Sequence, residues 1–118
     1  NYYSLRFAMA WHNGAAGFTH YTIEDYFFSS KIERNKWNFV CFVGESNIVK
    51  LYIDGQFKES HSGITNPANI KLPVKYVGHS PLRGTDTHAM IGIIDEVIIF
   101  NKALTTQEME AVYNSDLS

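Results

Sequence analysis

The chain has 118 residues with one cysteine, three prolines and no Asn-x-Ser/Thr sequon. The lone Cys41 cannot form an internal disulfide, so the fold must depend on a hydrophobic core. Its apolar neighbours in segment 37–43 indicate a buried small side chain rather than a reactive thiol. No apolar run is long enough to cross a bilayer as a helix. We therefore predict no membrane insertion.

Neither sign of charge dominates the chain. It carries 10 Lys and Arg against 12 Asp and Glu, which gives a formal net charge of −2. The basic residues are scattered, whereas a nucleic-acid surface needs a basic patch or stripe. We therefore predict no nucleic-acid partner and only weakly salt-dependent binding. With 45% hydrophobic and 14% aromatic residues, residues 1–118 can bury one core and form a single domain.

Patterns for catalysis and for zinc binding are missing as well. Two carboxylates of a glycosidase must face one cleft, which in a strand requires i, i+2 or i, i+4 spacing. Here Glu24-Asp25 and Asp95-Glu96 are adjacent pairs whose members would point to opposite faces. No Gly-x-Ser-x-Gly sequence and no glycine-rich phosphate loop occur. The five histidines lack the spacing that places two imidazoles on one zinc ion: His12, His20, His61, His79 and His88. We predict that the chain is not an enzyme.

The C-terminal third has the clearest structural signal. Residues 91–100 are nearly all β-branched or aromatic, which predicts a strand buried on both faces. Thr105 stands at a helix N-cap and Glu108 completes a capping box, with Leu104 and Met109 as a hydrophobic staple. The following helix is too short to be stable alone and must dock on the sheet. The side chains at docking spacing are Met109, Val112 and Tyr113.

The remaining chain reads as short strands divided by turn signals. The predicted strands are residues 2–11, 18–23, 26–29, 37–43, 47–53, 56–59 and 74–78. Segment 37–43 is apolar on both faces, which predicts a central strand. Asp54-Gly55 predicts a type I′ hairpin turn, because both of its central residues need positive φ. The fold class is therefore all-β and antiparallel, with a short C-terminal helix.

Four pieces of sequence follow one another in a specific order. They are Trp37 with Val40, Leu51-Tyr-Ile-Asp-Gly55, Tyr76-Val-Gly78, and Gly92-Ile-Ile-Asp-Glu-Val97 followed by Phe100-Asn-x-Ala-Leu-Thr105. In this order and spacing they resemble the laminin-G-like jelly-roll family of the concanavalin A-like lectin/glucanase superfamily. The resemblance implies a jelly-roll β-sandwich. Relatives have several strands before the position of Tyr2, so the resemblance also leaves three alternatives open. Either the chain is the later part of a larger domain, or the fold closes with fewer strands, or a partner chain supplies the missing N-terminal strands.

The resemblance also implies a metal site. Laminin-G-like relatives often hold a structural calcium ion, and Asp95 matches their Ile-Asp-Glu motif. A carboxylate with loop carbonyls suits this hard cation. The competing interpretation is that Asp95 accepts hydrogen bonds from neighbouring backbone amides.

The predicted ligand surface combines aromatic rings with polar groups, since sugars stack on rings and hydrogen-bond through hydroxyls. The candidates are Trp11, His12, Tyr26, Arg83 and Asp86. The alternative is that Trp11 and Tyr26 pack in the core while Arg83 and Asp86 are solvated loop charges. The fold hosts several functions, so these residues carry the functional hypothesis.

We expect a non-catalytic module that binds a glycan, within a larger extracellular or cell-surface protein. The alternative is a structural or adhesion module that binds a surface protein. An exposed aromatic with polar neighbours would favour the first, and a large apolar edge the second.

Overall fold

The computed structural model describes residues 5–10, 14–20, 24–62 and 92–116. The strands are β1 (Leu5–Ala10), β2 (Ala15–His20), β3 (Glu24–Lys31), β4 (Val40–Glu45), β5 (Ile48–Ile53) and β6 (Gln56–Ser62), and the helix α1 spans Thr106–Asp116. Six predicted strands are thereby confirmed with shifted ends. The predicted strand 74–78 lies outside the described residues. Within the described ranges, no helix has the length and apolar character needed to cross a membrane.

The strands form two antiparallel three-stranded sheets, β1-β2-β3 and β4-β5-β6. In the second sheet β5 lies between β4 and β6. The prediction that segment 37–43 is the central strand is therefore wrong for the described residues. The strand begins only at Val40, because residues before it form the hydrogen-bonded loop described below, and Trp37 is 65% exposed.

A hydrophobic core fills the space between the two sheets. Its buried members come from both sheets: Ala16, Phe18, Phe28, Leu51 and Ile53. The ring of Phe7 in β1 lies 4.7 Å from the ring of Phe42 in β4, centroid to centroid. Alternate residues of a strand face opposite sides, and Val40 and Phe42 accordingly pack against this inner core.

The outer face of the second sheet packs against the helix. Val43, Tyr52 and Met109 form a second buried cluster, and Cys41 and Leu104 pack against it. The predicted docking of Met109 is confirmed, and the two predicted apolar faces of segment 37–43 are confirmed from Phe39 to Val43, since Trp37 is exposed. Burial raises the pKa of the Cys41 thiol, which agrees with an unreactive packing role. The described fold thus has three layers, sheet on sheet on helix.

The predicted capping box is present at the start of α1. The Glu108 amide donates to Thr105 Oγ1 at 3.1 Å, and the Thr105 amide donates to Glu108 Oε1 at 3.0 Å. The Lys102 ammonium also donates to the Glu108 carboxylate. These contacts satisfy helix amides that would otherwise lack partners.

The edges of the two sheets are joined by Glu59 of β6. Its carboxylate accepts the Ser29 amide at 3.1 Å and also the Ser30 amide, both in β3. Desolvation raises the pKa of Glu59, but the hydrogen bonds from Ser30 and Ser29 outweigh it and the net shift is downward. The ionised carboxylate therefore links one sheet to the other.

Residues 92–100 do not form the predicted buried strand. No strand pairing is present in this segment, and its side chains are exposed, with Ile93 at 76% and Ile99 at 68%. A strand needs a hydrogen-bonded neighbour and its apolar side chains need cover. The described residues provide neither to this segment, so the prediction is wrong within them.

Candidate functional site

A polar groove of about 630 Å³ lies where the end of β3, the loop before β4, the β5–β6 turn and α1 meet. It is called the polar groove below. Its lining residues are Ser30, Lys31, Glu33, Lys36, Asn38, Ile53, Asp54, Gln56, Lys58 and Tyr113. Seven of the ten carry a charged or amide side chain, which suits a hydrophilic ligand.

The loop that forms one wall of the polar groove is shaped by Asn38. Its side-chain amide donates to the Glu33 carbonyl at 2.9 Å and to the Lys36 carbonyl at 2.8 Å. Asn35 adopts a positive φ of 58°, a conformation that Asn tolerates better than most residues. The loop is therefore held by its own side chains, which orients the groups on it.

The β5–β6 turn forms a second wall. Asp54 and Gly55 have φ values of 52° and 82°, which confirms the predicted need for positive φ at both positions. Asp54 also reaches the loop before β4, since its Oδ1 accepts the Phe39 amide at 2.9 Å and its own amide donates to the Phe39 carbonyl at 2.8 Å. This pair of bonds fixes the turn against the preceding loop.

Lys36 lies between the two carboxylates of the polar groove. Its Nζ is 3.6 Å from Glu33 Oε2 and 3.8 Å from Asp54 Oδ2. Both acidic groups are thus compensated by one ammonium. The ion pairs are largely exposed to solvent, so each contributes at most about 1 kcal/mol to stability.

Tyr113 supplies an aromatic wall. Its ring lies 5.3 Å from the Phe39 ring, centroid to centroid. It also packs so closely on Gly55 that a Cβ there would be 2.8 Å from the ring. The exposed Trp37 stands in sequence between the lining residues Lys36 and Asn38. Aromatic and hydrogen-bonding groups therefore occur together on this part of the surface.

Of the five predicted ligand residues, the structure describes Tyr26. Tyr26 is half-buried, stacks on His61 with ring centroids 3.7 Å apart, and packs against the inner core. It does not line the polar groove. Trp11, His12, Arg83 and Asp86 lie outside the described residues, so their roles stay predictions.

The predicted metal ligand Asp95 is exposed in the segment that forms no strand. In the part of the chain that the structure describes, no three or more His, Cys, Asp or Glu side chains are grouped as they would be around a metal ion. Calcium at Asp95 stays a prediction, since other ligands would have to come from elsewhere or from backbone carbonyls.

No sequence pattern in segment 31–36 predicted the polar groove. One signal was available. A tryptophan flanked by Lys36 and Asn38 is out of place in a buried strand, and the neighbouring loop is dense in hydrogen-bonding side chains. The contribution of Tyr113 and of the β5–β6 turn depended on tertiary contacts.

Two packed antiparallel sheets with a short C-terminal helix define the class of the chain as a β-sandwich. The laminin-G-like family model of the concanavalin A-like lectin/glucanases superfamily matches residues 2–110, and the chain belongs to this superfamily. The resemblance drawn from the sequence is therefore confirmed. No curated protein sequence matches the chain.

A similar solved structure is the 2.1 Å crystal structure of residues 221–444 of an S-layer domain-containing protein from Clostridium thermocellum ATCC 27405. It superposes with a TM-score of 0.60 at 20% sequence identity. The alignment covers 84% of this chain and 51% of that chain. At this identity the similarity supports the fold, and the sandwich architecture is common to both proteins.

Proposed function

We propose that the chain is a non-catalytic binding module that recognises carbohydrate in the polar groove. The observation that carries this proposal is the combination of the Tyr113 ring with the exposed Gln56 amide and the exposed ammonium groups of Lys31 and Lys58 in one shallow site. Sugar C–H faces pack on aromatic rings, and sugar hydroxyls need both donors and acceptors. The polar groove offers both kinds of contact.

Membership of a superfamily named after lectins and glucanases supports a saccharide ligand. Similarity to an S-layer domain-containing protein supports a place at the cell surface or outside the cell. Because fold alone does not determine function, the groups in the polar groove must carry the specific proposal.

The charge arrangement of the polar groove supports binding without catalysis. Glycoside hydrolysis needs two carboxylates with the scissile bond between them. Here the Lys36 ammonium lies between Glu33 and Asp54, within 3.6 Å and 3.8 Å of their oxygens. Asp54 also accepts the Phe39 amide. Both carboxylates are thus used to hold the loop and the turn.

A glycan array followed by calorimetry tests this proposal. We expect selective binding with Kd between about 1 μM and 1 mM, because a shallow site buries little ligand surface. Gln56→Ala in the polar groove should weaken binding, whereas Gln107→Ala on the exposed surface of α1 should not.

The same experiment also tests the ligand site that was predicted from the sequence. If Trp11→Ala and Arg83→Ala abolish binding while Gln56→Ala does not, the ligand site lies at the sequence-predicted loops instead of the polar groove. Release of sugar from any polysaccharide on the array would contradict the non-catalytic proposal.

A second candidate function is a structural or adhesion module that binds a protein. The observation that favours it is the exposed apolar segment with Ile93, Val97, Ile98, Ile99 and Phe100, because such surfaces mark interaction sites. A silent glycan array together with a specific protein partner that is lost on Ile99→Lys would favour this function over the first.

A further inference from the structure

The charges of the groups that line the polar groove do not sum to zero. Lys31, Lys36 and Lys58 line it together with only two carboxylates, Glu33 and Asp54. Lys36 pairs with both carboxylates. Within the described residues, neither Lys31 nor Lys58 has an ion-pair partner, and Lys58 Nζ makes only a 3.4 Å hydrogen bond to Gln56 Oε1. The polar groove therefore keeps a positive charge.

The two remaining lysines are held on different sheets. Lys31 ends β3 of the first sheet, and Lys58 lies in β6 of the second. Their chain neighbours Ser30 and Glu59 are hydrogen-bonded to each other across the sheet edges. This bond fixes the separation of the two strands, so both ammonium groups flank one site instead of belonging to mobile loops.

We propose that the polar groove binds an acidic saccharide, one that carries carboxylate groups, and that Lys31 and Lys58 set this preference. The inference rests on the proposed carbohydrate function and names its ligand class. An ammonium is a point charge that attracts a carboxylate without fixing its orientation, while Tyr113 and the Gln56 amide contact the neutral part of the sugar. Binding is consequently weakened by salt, in contrast to the expectation from the scattered charge of the sequence.

Isothermal titration calorimetry with a matched ligand pair tests the inference. The ligands are tetragalacturonate and its carboxyl-reduced counterpart, a neutral galactose tetrasaccharide. We expect the acidic ligand to bind roughly three- to tenfold more tightly at low salt, as two exposed ion pairs would give. The preference should shrink at about 150 mM salt, where the Debye length is about 8 Å.

Charge-neutralising variants test whether Lys31 and Lys58 cause the preference for the acidic ligand. Lys31→Gln and Lys58→Gln should each reduce the ratio of the affinity for the acidic ligand to that for the neutral ligand, and the double variant should bring this ratio close to one. Lys50→Gln is the matched control, because Lys50 lies in β5 outside the polar groove and its removal should leave the preference intact. Circular dichroism and thermal midpoints verify that each variant is folded.

The outcomes separate the inference from the proposed function. Equal affinity for both tetrasaccharides, or a preference unaffected by the double variant, would overturn the acidic-saccharide inference and leave carbohydrate binding standing. Failure of both tetrasaccharides to bind, with a silent array, would overturn both. Equally tight binding of a tetraglutamate peptide would show that the polar groove selects acidic peptides as well and would overturn the saccharide assignment.

Discussion

At the scale of single residues, Gly55 connects the hairpin turn to the helix. Its φ of 82° lies in a region that residues with a side chain rarely adopt, and a Cβ at this position would lie 2.8 Å from the Tyr113 ring. Gly55→Ala should therefore lower the free energy of unfolding by about 1 to 3 kcal/mol, measured by urea denaturation. Gly44→Ala is the control, since a Cβ at Gly44 meets no atom within 4 Å and should be nearly neutral. Equal stability of the two variants would contradict this account.

The metal prediction also belongs to one residue. We propose that Asp95 binds calcium with backbone carbonyls, as its match to the family motif implies. Calcium should then raise the melting temperature of the wild type, because a ligand that binds only the folded state stabilises it. Asp95→Asn should lose most of that rise, whereas Glu96→Gln, at the adjacent exposed residue, should keep it. A melting curve insensitive to both calcium and chelator would refute the proposal.

At the scale of elements, the capping box determines where α1 begins. Thr105→Ala removes the Oγ1 that accepts the Glu108 amide at 3.1 Å, so the free energy of unfolding should fall by about 1 kcal/mol. Gln107→Ala, an exposed change in the same turn, should be close to neutral. Chemical denaturation gives both values. An unchanged midpoint for Thr105→Ala would mean that the cap does not stabilise the helix.

The hydrogen bonds at this cap also predict that the free energy of unfolding depends on pH. The hydrogen bond from Lys102, followed by that from the Thr105 amide, lowers the pKa of Glu108 from 4.5 to about 2. The folded state then binds fewer protons than the unfolded state, so this contribution is present above about pH 5 and is lost as the pH falls towards 2. Glu108→Gln should flatten the stability profile in this window. Glu110→Gln, on the exposed surface of α1, should leave the slope unchanged, and an unaltered slope for Glu108→Gln would exclude the effect.

At the scale of the whole molecule, the two sheets are joined at their β3 and β6 edges by Glu59. Glu59→Ala leaves the Ser29 and Ser30 amides without their carboxylate partner. We expect a loss of about 1 kcal/mol in the free energy of unfolding, the usual net contribution of a hydrogen bond, because water can reach the exposed Ser29 amide in the variant. Glu45→Ala, at an exposed strand end, is the control. The two variants are compared by thermal and urea unfolding, and equal losses would show that Glu59 does not join the sheets.

Much of this architecture follows from local sequence patterns. The Asp54-Gly55 turn, the Thr105 capping box and the two apolar faces of segment 39–43 depend on neighbours within a few residues, so periodicity and turn chemistry predict them. The ordered motifs also predicted the superfamily, which the match over residues 2–110 confirms.

Only the tertiary structure decided the pairing and the site. The apolar segment 92–100 has the composition of a buried strand, yet pairing requires a neighbouring edge that composition does not specify, and the described residues offer none. The polar groove brings Lys31, Asp54 and Tyr113 together from segments separated by more than twenty residues. Such proximity follows from how sheets and helix pack, and no local sequence pattern encodes it.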